Sequence, residues 1–243
     1  SYKLDPLATA AQVLTFAGIT VVVSAGNSGP TASTITSPAN DPFVISVGAV
    51  DDNATATTTD DTIATFSARG QTLYDSKAKP DLAAPGRKMV SLRSAGSTLD
   101  TLYPDRRVNG TDVLDPKYFR LSGTSMAAPV VAGTVALMLE RNATLQPAQV
   151  KKRLKASASP IADFGSRDQG AGRIDAAKAV GSIDATKEYS DGRVSDAFAK
   201  DMRKFIQGQP LKWNSLTYNG GVASNNITWE NITWENITWE NLT

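Results

Sequence analysis

Residues 121–133 read LSGTSMAAPVVAG, and this is the most informative stretch of the sequence. Gly123 stands at a turn, and the small apolar residues that follow it predict a helix over about 124–139. Ser125 then falls in the first turn of that helix, where backbone N–H groups have no acceptor within the helix and the positive end of the helix dipole lies. The stretch therefore presents a hydroxyl beside free donors, a suitable place for a nucleophile whose reaction generates an oxyanion.

The segments before this stretch alternate between helix and strand patterns. Asp5 and Pro6 form a cap and first-turn pair for an apolar helix, which Gly18 ends. The runs 19–23 and 43–50 are largely apolar or β-branched, which is typical of strands buried on both faces of a parallel sheet. The sequence therefore predicts an α/β fold of three layers, with helices flanking a mostly parallel sheet.

Composition divides the chain into three parts. Residues 1–182 have a globular composition, with further helices expected over 147–156 and 171–180. Residues 183–224 are predicted to form a helical or linker extension, and 225–243 contain repeats of NITWE. A five-residue period fits neither a helix nor a flat strand. We therefore expect a β-prone or partly disordered tail, with self-association as one role for it.

The overall composition excludes several classes of protein. Hydrophobic residues make up 41% and charged residues 20%, as in ordinary globular domains, and the net charge is +1. Nothing therefore favours nucleic acid or an anionic membrane surface as a partner. No apolar run approaches the roughly 20 residues of a membrane span. Cysteine is absent, which excludes disulfides and thiolate metal sites. A long polar connection is expected over 94–120.

Three collinear segments resemble the C-terminal part of the subtilisin-like serine proteases. They read GITVVVSAGNSG at 18–29, SPANDPFVISVGAV at 37–50 with ATFS at 64–67, and KPDLAAPG at 79–86, which leads to SGTSMA at 122–127. The resemblance extends over about 7–180 and not into the tail. It implies a subtilisin-like fold, hydrolysis of peptide bonds in polypeptide substrates through an acyl-enzyme, and an extracellular location.

The resemblance also implies roles for individual residues. Ser125 corresponds to the nucleophile, and Asn27 to the side-chain donor of the oxyanion hole, with the Ser125 backbone N–H as the second donor. Thr36 falls near the base of the pocket for the substrate side chain. The residues expected to bind substrate are Ser24, Ala25, Gly26, Thr36, Gly123 and Thr124, of which the first three form a wall of the pocket.

The chain departs from the family in what lies upstream. The family's aspartate and histidine both precede the segment that matches Gly26 and Asn27, and this chain contains no histidine. Val130 also replaces the histidine found within the serine motif of many relatives. A serine without a base is a poor nucleophile. We therefore expect the second part of a catalytic domain, incomplete at its N-terminal side, that is inactive and unstable or aggregation-prone alone.

Plainer interpretations compete with these roles. Ser125 could simply be a helix N-terminal serine, and Asn27 a turn residue. Lys79 and Lys117 are the only lysines placed to act as a base for the serine, and a solvated surface position is favoured for both. The alternative function is a non-catalytic protease remnant that binds peptides or serves adhesion or assembly.

Two charged clusters remain. Relatives often carry structural calcium, and an acidic loop is a candidate for it, although its spacing matches no defined calcium loop and a solvated loop is favoured. No residue is assigned to a metal. The loop contains Asp51, Asp52, Asp60 and Asp61. A basic set is expected on the solvated face of the helix at 147–156, and it comprises Lys151, Lys152, Arg153 and Lys155.

Overall fold

The computed structural model of the chain describes residues 2, 5–74, 76–109 and 116–188. The tail at 225–243 lies outside these residues, and so does most of the predicted extension at 183–224, in which the amphipathic pattern predicts a helix over 195–206. The elements are α1 (Pro6–Phe16), β1 (Val22–Ser24), β2 (Ile45–Asp51), β3 (Thr62–Ile63), β4 (Leu82–Pro85), β5 (Met89–Leu92), α2 (Thr98–Leu102), a 3-10 turn (Pro104–Arg106), β6 (Arg107–Val108), β7 (Tyr118–Leu121), α3 (Thr124–Arg141), α4 (Pro147–Ser157), α5 (Ser166–Gln169) and α6 (Ala176–Gly181).

The main sheet is built around β2, whose residues are all buried. Both β1 and β4 run parallel to it, and Val47 of β2 is paired with Ser24 on one side and Leu82 on the other. The short β3 joins the end of β2 in antiparallel fashion, with Val50 opposite Ile63. The predicted α/β fold with a mostly parallel sheet is therefore confirmed.

Helix α3 covers this sheet and begins where the sequence predicts, at Thr124. It packs across β1, β2 and β4, while α6 packs against both α3 and α4. Its core side chains include Val131 and Met138, both fully buried. Within the described residues, no helix is long and apolar enough to cross a membrane.

Both ends of α1 follow the predicted chemistry. The Asp5 carboxylate accepts hydrogen bonds from the N–H groups of Leu7 and Ala8, at 2.8 and 2.9 Å. Gly18, just beyond the helix, has a φ of +94°, a conformation that favours glycine. The predicted helix at 171–180 is shorter in the structure and begins at Ala176. Residues before it are held extended, because Ile174 N–H donates to the Ala83 carbonyl at 2.8 Å.

The long polar connection expected over 94–120 contains regular elements that no local pattern predicted. Its described residues form α2, the 3-10 turn, β6 and β7, and β7 pairs with β5 and β6 in a second, antiparallel sheet. Asp100, 2% exposed, organises it by accepting hydrogen bonds from Arg93 at 2.6 and 2.8 Å and from Arg107 at 2.8 Å. These hydrogen bonds, first of all from Arg93, lower the pKa of the Asp100 carboxyl. Arg93 and Arg107 each lie only seven positions from Asp100, but no motif in the sequence indicates that they pair with it.

Candidate active site

Ser125 lies at the second residue of α3 and is exposed. Strand β7 leads to it through Gly123, whose N–H donates to the Gly86 carbonyl at 2.8 Å. Gly86 admits no side chain, since a Cβ there would lie 2.8 Å from the Ala49 Cβ. The close approach of the loops that contain Gly86 and Gly123 fixes the position of Ser125 at the surface. Its N–H belongs to the first turn, where the helix supplies no acceptor.

Asn27 is joined to the serine loop through its neighbour Thr124. The Asn27 Oδ1 accepts from the Thr124 backbone N–H and from the Thr124 hydroxyl, each at 2.9 Å. Two donors on one oxygen identify it as the amide oxygen and turn Nδ2 away from Thr124. A Cβ built on Gly123 would lie 3.4 Å from Asn27 Nδ2. The amide donor therefore faces the loop that carries the exposed serine, as an oxyanion hole requires.

Two further hydrogen bonds hold the loop before Asn27, one to Thr124 of α3 and one to Ala68 in a neighbouring loop. Gly26 N–H donates to the Thr124 hydroxyl at 3.2 Å, and the Gly26 carbonyl accepts from Ala68 N–H at 2.9 Å. Gly26 has a φ of +109°, and a Cβ there would lie 3.3 Å from the Thr36 Oγ1. The structure thus brings Thr36, predicted from the resemblance, next to the glycine of the predicted pocket wall.

Three of the residues predicted to bind substrate are buried. Ala25 is fully buried and packs with Ile35 and Ala68, so its side chain lines no pocket. Thr124 is also fully buried, and its hydroxyl is committed to Asn27 and Gly26. Gly123 is buried as well. Thr124 is therefore a positioning residue for Asn27, a role that the motif alone did not reveal.

The two candidate lysine bases do not serve the serine. The expected surface position is wrong for Lys79, which is 2% exposed and pairs with Asp81 at 2.8 Å. Lys117 is exposed, as expected. Within the described residues, no carboxylate or amine makes a hydrogen bond to the Ser125 hydroxyl. The described site thus brings an exposed serine hydroxyl and an amide donor onto neighbouring loops, and within the described residues no base contacts this hydroxyl.

The buried lysine belongs to a charge network that sequence reasoning missed. Asp81 Oδ2 accepts from Lys79 and from Ser46 N–H, and Lys151 Nζ lies 3.0 Å from it. Burial alone would raise the pKa of the Asp81 carboxyl, but Lys79 and Lys151 lower it. Lys151 also donates to the Val44 carbonyl at 2.7 Å, so the expectation of a solvated lysine is wrong for it. This network anchors α4 to the start of β2.

The acidic loop is not solvated throughout. Asp51 is buried and pairs with Arg87, and Asp61 is buried with Arg173 Nε 2.8 Å away. Burial raises the pKa of the Asp61 carboxyl. No group of three or more carboxylates that could hold a metal ion occurs within 5–74, 76–109 and 116–188. Because arginines pair with two of the four carboxylates, this loop does not fit calcium.

Comparisons with known proteins agree with this geometry. The family model described as "Subtilase family" matches residues 4–199. The chain is 47% identical to the serine protease AprX of Bacillus subtilis over 176 residues, which is 72% of this chain and 38% of AprX. It is 38% identical to subtilisin DY of Bacillus licheniformis over 148 residues, or 60% and 42% of the two chains. It is 33% identical to the mouse membrane-bound transcription factor site-1 protease over 174 residues, which is 68% of this chain and 14% of that protease.

Solved structures give the same result. The protease PatA, which matures patellamide, matches with a TM-score of 0.53 and 27% identity over 72% of this chain and 56% of PatA. Fervidolysin of Fervidobacterium pennivorans matches with a TM-score of 0.51 and 27% identity over 68% and 23% of the two chains. The chain spans less than half the length of the three curated relatives named above. The chain belongs to the subtilase family of serine proteases, which act on polypeptides.

Proposed function

We propose that this chain carries the nucleophile and the oxyanion hole of a serine endopeptidase, and that the general base and its carboxylate partner come from polypeptide outside residues 1–243. The observation that carries the proposal is the contact between Asn27 and the Ser125 loop through Thr124, at 2.9 Å. It orients an amide donor toward an exposed serine, which is a chemical requirement and not only a fold feature.

The proposed reaction begins with attack of the Ser125 hydroxyl oxygen on the carbonyl carbon of the scissile bond. The hydroxyl proton passes to the external base, and the carbonyl oxygen becomes an oxyanion. Asn27 Nδ2–H and the Ser125 N–H then stabilise this oxyanion. The base returns the proton to the leaving amine, and water later hydrolyses the acyl-enzyme. Without the base, only residual catalysis remains.

Complementation tests the proposal. The chain is co-expressed with the portion of AprX outside the matched segment, and hydrolysis of a fluorogenic peptide is followed. We expect no hydrolysis from either part alone and measurable hydrolysis from the pair. Ser125→Ala in the pair must abolish it, while Ser28→Ala on the neighbouring loop serves as the matched control. Hydrolysis that persists with Ser125→Ala would assign the nucleophile elsewhere.

The alternative is a non-catalytic remnant that binds peptides or serves adhesion or assembly. The absence of histidine from the whole sequence favours it. The gene sequence upstream of Ser1 distinguishes the two functions. An open reading frame that encodes an aspartate and a histidine in family-like motifs supports the protease, whereas a start codon just before Ser1 supports the remnant.

We also propose an extracellular location, which rests on the family resemblance. Secretion of the protein encoded by the natural gene into the culture medium would support the proposal. A role of the NITWE tail in self-association remains a prediction on residues outside those described.

A further inference from the structure

Two consecutive residues, Ala68 and Arg69, connect the predicted substrate pocket to helix α5, and we call them the brace. On the pocket side, the Ala68 N–H donates to the Gly26 carbonyl at 2.9 Å. The Arg69 N–H donates to the Thr34 hydroxyl at 3.0 Å, and the Arg69 carbonyl accepts from the Thr34 N–H at 3.2 Å. The brace therefore binds both chain segments that form the wall and the base of the predicted pocket.

The wall and the base of this pocket are packed closely against the brace. A Cβ built on Gly26 would lie 3.3 Å from the Thr36 Oγ1 and 3.4 Å from the Ala68 Cβ. Ala68 is fully buried and packs with Ala25 and Ile35. Because protein interiors are close-packed and transmit strain, a displacement of the brace shifts the wall relative to the base.

The side chain of Arg69 anchors the brace to α5 and β3. Its Nη1 donates to the Asp168 Oδ1 at 3.3 Å, and its Nη2 donates to the Ile63 carbonyl at 3.5 Å. The guanidinium carbon lies 5.7 Å from the centre of the Phe164 ring. The side chains of Arg69 and Asp168 are only 16% and 27% exposed, so solvent screens their ion pair in part. The planar, branched guanidinium makes these contacts together, which the single ammonium of a lysine does not reproduce.

We propose that Arg69 is a positioning residue for the pocket that accepts the substrate side chain, and that it acts through Asp168. The inference rests on the proposed function, because the pocket is assigned through that function. The Arg69 guanidinium is bound to α5 and β3, so it acts on the pocket through the backbone of the brace and not by touching substrate. Asn27 is held separately, by its hydrogen bonds with Thr124. Loss of Arg69 should therefore weaken binding of the substrate side chain more than it slows the chemical step.

Kinetics of the complemented protease test this role. Two fluorogenic peptides are compared, which differ only in whether phenylalanine or alanine precedes the scissile bond. Arg69→Ala should raise KM for the phenylalanine peptide by about five- to tenfold, while KM for the alanine peptide and both kcat values change by less than about twofold. Loss of folded protein would lower the apparent kcat and leave KM unchanged. The split between KM and kcat therefore separates positioning from a general loss of stability.

Variants of the partner and of a neighbour show whether Arg69 acts through Asp168. Asp168→Asn removes the charge but keeps an oxygen for the Gly165 N–H, from which Asp168 Oδ2 accepts at 3.1 Å. Arg69→Ala should therefore raise KM less in the Asp168→Asn background than in the parent. Arg69→Lys should restore only part of the lost binding, because it keeps the charge and loses the branched donors. Arg167→Ala is the matched control, since Arg167 is adjacent to Asp168 and exposed, and it should change neither KM.

Hydrogen exchange tests the brace without catalysis. In the full chain, Arg69→Ala should speed exchange of the Thr34 and Ala68 N–H groups by about tenfold and leave that of Val135, within α3, at the parent rate. Unchanged exchange at Thr34 and Ala68, or equal changes of KM for the two peptides, would overturn the inference and leave the protease proposal standing. Faster exchange at these two groups, with no hydrolysis by the complemented pair, would support the brace and overturn the protease proposal instead.

Discussion

Helix α3 has two apolar sides with different surroundings. On one side Val131 and Met138 are fully buried against the sheet. On the other, Ala132 and Ala136 are exposed and Leu137 is 51% exposed. An apolar surface all round a helix is typical of one enclosed by protein. The difference indicates that the described residues supply one half of the enclosure, and it supports the proposal that further polypeptide completes the domain.

The main sheet shows the same asymmetry. Strand β2 is buried throughout, whereas β1 is only half-buried and pairs with β2 alone among the described strands. An open strand edge beside apolar surface favours association with other chains. The expected instability or aggregation of the isolated chain follows from this region, and it stays a prediction. The predictions below test the contrast, beginning with the largest effect.

Truncation of a buried side chain on the covered side of α3 should lower the free energy of unfolding the most. Met138→Ala removes a fully buried side chain from the core and should lower the free energy of unfolding by about 2–5 kcal/mol. Urea unfolding monitored by circular dichroism measures the change, provided that the parent chain unfolds reversibly. A loss below about 0.5 kcal/mol would mean that this side is not the core of the isolated chain.

Removal of the proposed oxyanion donor, Asn27, should lower the catalytic rate and hardly change the free energy of unfolding. In the complemented protease, Asn27→Ala should lower kcat by about 10²–10³-fold, a range measured on a member of this same family. Thr124→Val should also lower kcat, because Asn27 loses one of its two orienting donors, and Thr124→Ser should restore most of it. Unchanged kcat in Asn27→Ala would show that the amide does not face the reacting carbonyl.

The buried lysine predicts a pH dependence of stability. Burial lowers the pKa of Lys79 to about 8, against an ordinary value of 10.5. Between these values the unfolded chain binds more protons than the folded chain, so this group increases stability as the pH rises from about 8 to 10. Its contribution is at most about 3 kcal/mol. Lys79→Met should flatten the rise, and Lys152→Met, on the exposed face of α4, should not. Equal slopes in all three proteins would contradict this.

The smallest effect is expected on the bare side of α3. Leu137→Ala should change the free energy of unfolding of the isolated chain by no more than about 0.5 kcal/mol, because its side chain is already half exposed. In the complemented protease the same substitution should cost more, since the side chain is then covered. An equal, small effect in both states would mean that this side stays exposed.

Much of the fold could be predicted because its signals are local. The serine motif marks the start of α3, Asp5 caps α1, and the apolar run at 43–50 covers all of the buried strand β2 except Asp51. The fold of 94–120 could not be predicted in this way. Its elements are short, and Asp100 stabilises them through hydrogen bonds from Arg93 and Arg107, which no motif in the sequence indicates.

The candidate site likewise has residues that the sequence predicts and residues that it does not. Ser125 and Asn27 follow from motif resemblance, and the structure brings their loops into contact. The orienting role of Thr124 and the burial of Lys79 depend on three-dimensional packing that no local pattern encodes. Lys79 illustrates the limit well: lysine is almost never fully buried unless it is paired. Its partner, Asp81, lies only two residues away, but Lys151 comes from a distant helix.

The reactivity of Ser125 in the isolated chain tests the central claim most directly. The 243-residue chain is incubated with a fluorophosphonate, and the adduct is located by mass spectrometry, with a complete subtilisin as positive control. A site with its oxyanion hole but without its base should label at Ser125 orders of magnitude more slowly than the control. Stoichiometric labelling of Ser125 at the rate of the control would contradict the account, because a base would then lie within these residues.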